Sequence, residues 1–497
     1  MERDLLLSLD AGGTAVKAAV FSRDGKLTCL READVRTDHR PNGWVERDPE
    51  TFWGSAAAAL KDITQKDVDP QRIAAVCCTG FGNGAFLVDQ NGRGVRPGIV
   101  SVDHRAQGIV EELESDGRHA GIEAIGGQRL WGGQTATQLV WLSREEPDSC
   151  ARSRWVLLCK DFVRMRLTGR AATDLSDASG GGLLNYRTAA YDPALFALLG
   201  VLAFTERLPP LLRSTAVAGK VSAEASAETG LLEGTPVATG MMDVGACVLG
   251  SGVFSDDVLT MIAGTWAIIG LQSAEPVNGR PPVLQMIHDD RRCFLTADGS
   301  PTSAANLNWY ASQALPGDLS YDRINALVQD CDPAKQPRCY FLPYVNGPAP
   351  RRGCFLGLTS SDDQATMLRA IYEAVAFRHR HHAETVKKFF PDREIKAIRL
   401  SGGASRSLVW PQVFADVNQI RVEVVDGQEI GALGAAICAA VAAGFHDDLE
   451  SAASAMCRVS SVFEPDSTTK DLYEQRYAEF MRLDEAMSAV DAGAAAT

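Results

Sequence analysis

The chain has 497 residues, more than one hydrophobic core comfortably organises, so two or more domains are expected. Hydrophobic residues make up 45% and charged residues 23%, an ordinary globular balance, and a net charge of −14 argues against nucleic acid or an anionic membrane as the main partner. Anionic small ligands are not excluded, because local backbone donors bind phosphate even in an acidic protein.

The start, "MERDLLLSLDAGG", carries acids and too short an apolar run for a signal peptide, and no later run approaches the ~18 apolar residues of a membrane span. The 12 cysteines form no Cys-x-x-Cys and no metal-like pattern with the 8 histidines. A reduced cytoplasmic compartment, with cysteines used for packing, is the expectation.

In chain order, residues 5–9 read as a buried strand that ends at Asp10 and the turn Gly12, Gly13, Thr14. Val16, Ala18 and Val20 then alternate as in a second strand, and the Asp24-Gly25 turn leads to a third. A dinucleotide fingerprint needs a glycine turn from strand to helix; here the turn joins strand to strand. "DPETFWGSAAAALKDI" predicts a helix with Asp48 as N-cap and Pro49 at the first helical position. "IAAVCCTG" is a further buried strand, and "EELESDG" and "LVWLSREEP" fall in helical stretches.

A similar plan recurs late in the chain. "VLTMIAGTWAIIGL" reads as strand, Gly264-Thr265 turn, strand. "AIRLSGGASRSLVWPQVFADV" reads as strand, Gly402-Gly403 turn and helix, with Ser405 or Ser407 available as a cap. "IRVEVVD" is another strand, and the alanine-rich residues 431–444 form a buried helix. Two α/β domains follow, with a boundary near residues 245–257; the division adopted is 1–250 and 251–497.

A glycine-rich turn aims backbone N–H groups into one concavity suited to phosphate oxygens, and Thr14 and Lys17 add a hydroxyl and a charge. Asp10 at the strand end is a candidate for Mg²⁺, directly or through water. Asp243, in "TGMMDVGACVLGSG", either caps a helix or does chemistry. Asp103 either binds hydroxyls or pairs with Arg105, and Asn83 can both donate to and accept from a polyol. Trp44 reads as packing, and His379, His381 and His382 read as a solvated helical face.

These stretches resemble the FGGY carbohydrate kinases over nearly the whole chain. The phosphate hairpin is similar to "LDAGGTAVKAAVF", the "PGW-x-E-x-D" stretch to "NGWVERDPETFW", and the adenosine turn to "LSGGASRSLVWPQVFADV". The middle element carries Gln138 where Lys is usual, and the late signature "GCFLGLTSSDDQATMLRAIYEAVAF" departs at Thr366. The resemblance implies two ribonuclease H-like domains of the sugar kinase/actin/Hsp70 fold with a nucleotide cleft between them. The first would bind sugar and the second nucleotide.

The resemblance also implies residue roles. Asp243 takes the place of the catalytic base, with Asn83, Asp103 and Asp243 on the sugar. Gly12, Gly13, Thr14, Lys17, Gly264 and Thr265 surround the phosphates of ATP, and Gly402, Gly403, Ala404 and Ser407 border the adenosine. Asp10 and Asp243 are the implied Mg²⁺ residues. Within the family, Thr265-Trp266 and "SPTSAANLNW" are similar to L-xylulose kinases. Residues 80–83, Gly-Phe-Gly-Asn, lack the His of D-xylulose kinases. The implied activity is phosphoryl transfer from ATP to a ketopentose, L-xylulose first. The alternatives are D-xylulose, ribulose, erythritol, glycerol, or an actin- or Hsp70-like ATPase without sugar chemistry. A homodimer is the family-level expectation.

Overall fold

A computed structural model describes residues 3–288, 293–315, 320–332, 334, 339–347, 350–427 and 429–495. The chain forms two compact units. The first holds Met1–Phe254, Gln272–Thr296 and Glu429–Cys457; the second holds Ser255–Leu271, Ala297–Gln428 and Arg458–Thr497.

The first unit is built on one sheet, in the order Val217–Lys220, Pro236–Ala238, Ile73–Gly80, Leu5–Ala11, Ala15–Ser22, Leu27–Asp34. The opening three strands are antiparallel neighbours, and Leu5–Ala11 lies parallel to Ile73–Gly80. Both faces are covered, which is why "LLLSL" is apolar without alternation. Leu5, Leu7 and Leu9 pack with Phe52, Leu60 and Ile63 of the Pro49–Lys66 helix. Leu6 faces the other layer with Ala19, Ala246, Leu433 and Ile437. Asp48 accepts from Thr51 N–H and Pro49 opens that first helix, as its sequence predicts.

The second layer brings a late segment under the first sheet. The Ile430–Ala442 helix is almost wholly apolar and buried, and its small residues let it approach the Asp243–Gly250 helix backbone to backbone. A Cβ at Gly434 would overlap the Ala246 carbonyl oxygen, and one at Gly250 would overlap the Ile430 carbonyl oxygen. Glycine at these two positions fixes the separation of the helices.

The second unit repeats the opening plan. Val258–Ala263 and Ala267–Ser273 form an antiparallel hairpin, with Ala263 opposite Ala267. Val258–Ala263 is parallel to Ala397–Ser401, which is parallel to Arg421–Val425. The Gln364–Lys387 helix lies against this sheet with Leu368, Ile371, Val375 and Phe377 in the core. His379 and His382 on that helix are buried, which corrects the expected solvated face. The helix is surrounded on most sides, so its polar groups find partners inside. His382 bonds Asp298 Oδ2 at 2.8 Å and Ser300 Oγ at 2.9 Å, and His379 bonds Ser303 Oγ at 2.9 Å. The "SPTS" segment is therefore tied to the helix by imidazoles. His381 is half-buried.

Candidate active site

In the first unit, Asp10 sits at the end of the Leu5–Ala11 strand, opposite Lys17 across the hairpin. Residues 12–14 make the turn. A Cβ at Gly12 would lie 2.9 Å from the Ala15 carbonyl oxygen, so the tight turn requires glycine there, whereas Gly13 and Thr14 are exposed. Lys17 Nζ is 3.0 Å from Glu429 Oε2. Glu429 immediately precedes the Ile430–Ala442 helix, and a Cβ on Gly431 would stand 3.7 Å from Asp10 Oδ2. The late segment thus reaches the first hairpin and occupies its lysine. Burial and the Glu429 charge push the Asp10 carboxyl up to about 6, with Lys17 opposing them.

Asp243 is carried to the same end of the sheet. The chain before it bridges to the end of the Ile73–Gly80 strand at Gly80 and Met242, and Thr79 Oγ1 donates to the Met241 carbonyl at 2.9 Å. Met242 N–H donates to Ser176 Oγ at 3.0 Å, and Ser176 Oγ–H donates to Asp174 Oδ2 at 2.6 Å. Asp174 lies in a buried cluster, with Lys160 Nζ 2.6 Å from Asp161 and 2.9 Å from Asp174. Asp243 is the first residue of its helix and not its cap. Its Oδ1 accepts the Val244 N–H at 2.7 Å, and the Gly82 N–H also reaches the carboxylate. Burial, then the charge of Asp10, push this carboxyl up to about 7 against those two donors. A carboxylate with that value is a far better proton acceptor near neutral pH than an ordinary aspartate.

Asn83 holds a left-handed backbone, φ +68°, at a buried turn, and its Oδ1 accepts the Thr135 N–H at 3.4 Å. Its Nδ2 takes no protein acceptor among the described residues. Asp103 is fully buried, and the structure shows the ion-pair alternative: Arg105 Nε and Nη2 lie 2.9 and 2.8 Å from its two oxygens, and Val45 N–H donates to Oδ2. The Arg105 guanidinium lies over both Trp44 and Trp141, 4.3 and 4.8 Å from their ring centroids, so Trp44 is packed.

In the second unit, the glycine turns meet. Gly402 has φ +90°, and a Cβ on it would lie 2.7 Å from the carbonyl carbon and oxygen of Ala263 and 3.0 Å from Gly264 N. Glycine is therefore demanded at 402 both by backbone conformation and by the closeness of the first turn. The Trp266 carbonyl accepts the Gly264 N–H at 3.2 Å, leaving the Trp266 ring exposed. Gly403, Ala404 and Ser405 lie in the short Gly403–Arg406 3₁₀ turn. Ser407 Oγ accepts from Val409 and Trp410 N–H and donates to Asn325 Oδ1 at 2.6 Å, so it starts the following helix. The sequence-derived residues thus gather into two groups, one on each unit.

Comparison with known proteins now decides the family. The N-terminal domain of the FGGY family of carbohydrate kinases matches residues 5–250, and its C-terminal domain matches residues 259–443. The chain belongs to the FGGY carbohydrate kinases. It is 31% identical over 486 residues to the L-xylulose/3-keto-L-gulonate kinase of Escherichia coli strain K12, covering 96% of each chain. It is 32% identical over 490 residues to a probable L-xylulose kinase of Pasteurella multocida, covering 97% of this chain and 99% of the relative. A solved xylulose kinase from Rhodospirillum rubrum is similar at TM-score 0.84 and 26% identity, covering 98% of this chain and 99% of that one. This FGGY kinase is an ATP-dependent sugar kinase with the family's two-domain α/β fold.

Three residues beside the first of these two groups escaped the reading of the sequence. Arg47, inside "NGWVERD", was not singled out by its sequence; it is fully buried. Glu429 carried no signal except its place before an alanine-rich helix. Ser176, which receives the Met242 N–H, is separated from it by 66 residues. No helix among the described residues is long and apolar enough to cross a membrane.

Proposed function

We propose that this kinase phosphorylates a ketopentose, with L-xylulose as the first choice, and that Asp243 is its general base. The observation that carries the base assignment is geometric: Asp243 opens its helix at the same end of the sheet as Asp10, with its carboxylate accepting the Val244 and Gly82 N–H groups. In this scheme Asp243 accepts the proton of the sugar hydroxyl as its oxygen bonds to the γ-phosphorus. The bond from that phosphorus to the bridging oxygen breaks, and ADP leaves. Asn83 Nδ2 orients a second sugar hydroxyl, and Asp103 holds Arg105 and the Val45 strand in place.

Residues 12–14 and Gly264-Thr265 take the phosphates, and Gly402, Gly403, Ala404 and Ser407 border the adenosine. Lys17, with Glu429 on its amine, adds little net charge. The carboxylates of Asp10 and Asp243 fit Mg²⁺, since hard oxygens with raised proton affinity are relieved by a cation. No group of three or more His, Cys, Asp or Glu among the described residues could hold a metal. Mg²⁺ ordinarily keeps several waters and takes one or two carboxylates. When bound, it neutralises charge on the transferring phosphate.

The substrate assignment draws on Trp266, the "SPTSAANLNW" stretch and Asn83, and on relatives named for L-xylulose. A second reading comes from the Escherichia coli relative, whose name includes 3-keto-L-gulonate. The test is ADP release with L-xylulose, 3-keto-L-gulonate, D-xylulose, ribulose, erythritol and glycerol. The highest kcat/KM is expected for L-xylulose. Preference for D-xylulose would overturn the substrate assignment, and sugar-independent ADP release would overturn the scheme around Asp243.

A further inference from the structure

The Arg47 guanidinium is fully buried beneath the first hairpin. Its Nη1 donates to the Gly12 carbonyl at 3.2 Å and its Nη2 to the Gly13 carbonyl at 2.6 Å. Nη2 and Nε also reach Thr37 Oγ1, at 2.9 and 3.3 Å. The cation rests against Phe52 and Phe81, 4.7 and 5.2 Å from their ring centroids. No carboxylate lies within ion-pair distance of it among the described residues, although buried charges are ordinarily paired.

In a trans peptide the C=O and the next N–H point in opposite directions. With the Gly12 and Gly13 carbonyls drawn inward to Arg47, the N–H groups of Gly13 and Thr14 are turned away from the core. Those two residues are exposed, and their N–H groups have no protein acceptor among the described residues. The third carbonyl of the turn, that of Thr14, is taken by the Val35 N–H at 3.0 Å. The turn is thus locked with its carbonyls inward and its amides outward, the arrangement of an anion nest. Behind it stands a cation with no counter-ion among the described residues, and burial holds that cation below its ordinary pKa.

We propose that Arg47 is a positioning residue for ATP phosphate: it clamps the Gly12 and Gly13 carbonyls so that the Gly13 and Thr14 amides face the anion, and the bound phosphate charge supplies its missing counter-charge. This rests on the reading that residues 12–14 bind ATP phosphate. A planar guanidinium fork spans two adjacent carbonyls, which a lysine ammonium does not do at fixed geometry.

The test measures binding of ATP and of adenosine by calorimetry, with Arg47→Gln, Arg47→Lys and Gly13→Asp. Adenosine carries no phosphate, and the fitted stoichiometry separates folded fraction from affinity. Arg47→Gln is expected to weaken ATP about tenfold or more while adenosine stays within about threefold. Arg47→Lys, which keeps the charge and loses the fork, should fall between. Equal losses for ATP and adenosine, or no loss for ATP, in a folded Arg47→Gln would overturn the proposal. If that variant does not fold, wild-type ATP affinity in Arg47→Lys would overturn it. Gly13→Asp puts a carboxylate where a Cβ meets nothing within 4 Å. If it leaves ATP affinity unchanged, the hairpin does not bind phosphate and the underlying reading fails. If it abolishes ATP binding while Arg47→Gln has no effect, the hairpin reading stands and only the role of Arg47 is lost.

Discussion

Gly434 lies so close beneath Ala246 that a Cβ on it would overlap the Ala246 carbonyl oxygen, three residues into the helix that starts at Asp243. The position of Asp243 is thereby set by a glycine nearly two hundred residues away in sequence. Gly434→Val should push the two helices apart. Overpacking of this kind costs about 1–3 kcal/mol, so a lower melting temperature is expected. Turnover should fall more than ATP affinity, because the displaced group is the base. Unchanged kcat in a destabilised Gly434→Val would show that the helix contact does not position Asp243.

Asp243→Asn should remove sugar phosphorylation by about 10²-fold or more and leave ATP affinity within a few-fold. It also carries a signed stability effect. The folded carboxyl is raised to about 7 from 3.8, so the native state favours its protonated form. That contribution to stability is full below about pH 4 and is lost as pH rises through about 7. The asparagine variant should therefore be more stable than wild type at pH 8, by about 4 kcal/mol for a shift of that size, and equally stable at pH 4. Differential scanning calorimetry at the two pH values checks it. A variant less stable at pH 8 would mean that the hydrogen bond to Val244 outweighs the buried charge.

Asp10→Asn should greatly reduce turnover while keeping part of the nucleotide affinity through the glycine turns. Because the Asp10 carboxyl is raised to about 6, binding of MgATP near pH 6 should drive its proton off. Calorimetry in buffers of different ionisation enthalpy should detect proton release in wild type and less in Asp10→Asn. Identical proton release in both would remove Asp10 from the cation site.

Asn83→Gly separates backbone from side chain. Glycine accepts φ +68° without strain, so the melting temperature should hold or rise slightly. The lost amide should raise the KM for sugar about tenfold, the worth of one or two hydrogen bonds. A KM unchanged in a folded Asn83→Gly would leave Asn83 only a turn residue.

The sequence alone carried the local structure and the identity of the fold. Uninterrupted "LLLSL" and the Gly-Thr turns predicted the two hairpins, Asp48-Pro49 predicted the start of the first helix, and the ordered motifs carried the family. These signals are short-range, because they rest on side-chain period, capping and glycine conformation. Tertiary packing decided what each polar residue does. It buried His379 and His382 by surrounding their helix, spent Asp103 on Arg105, and took up Lys17 with Glu429. It also raised Asp243 from an ordinary carboxyl to one near 7 and put Arg47 behind the Gly12-Gly13 turn. Each of these depends on burial and on charges brought from distant parts of the chain. Desolvation and Coulomb energy act through space, so no local pattern of residues encodes them.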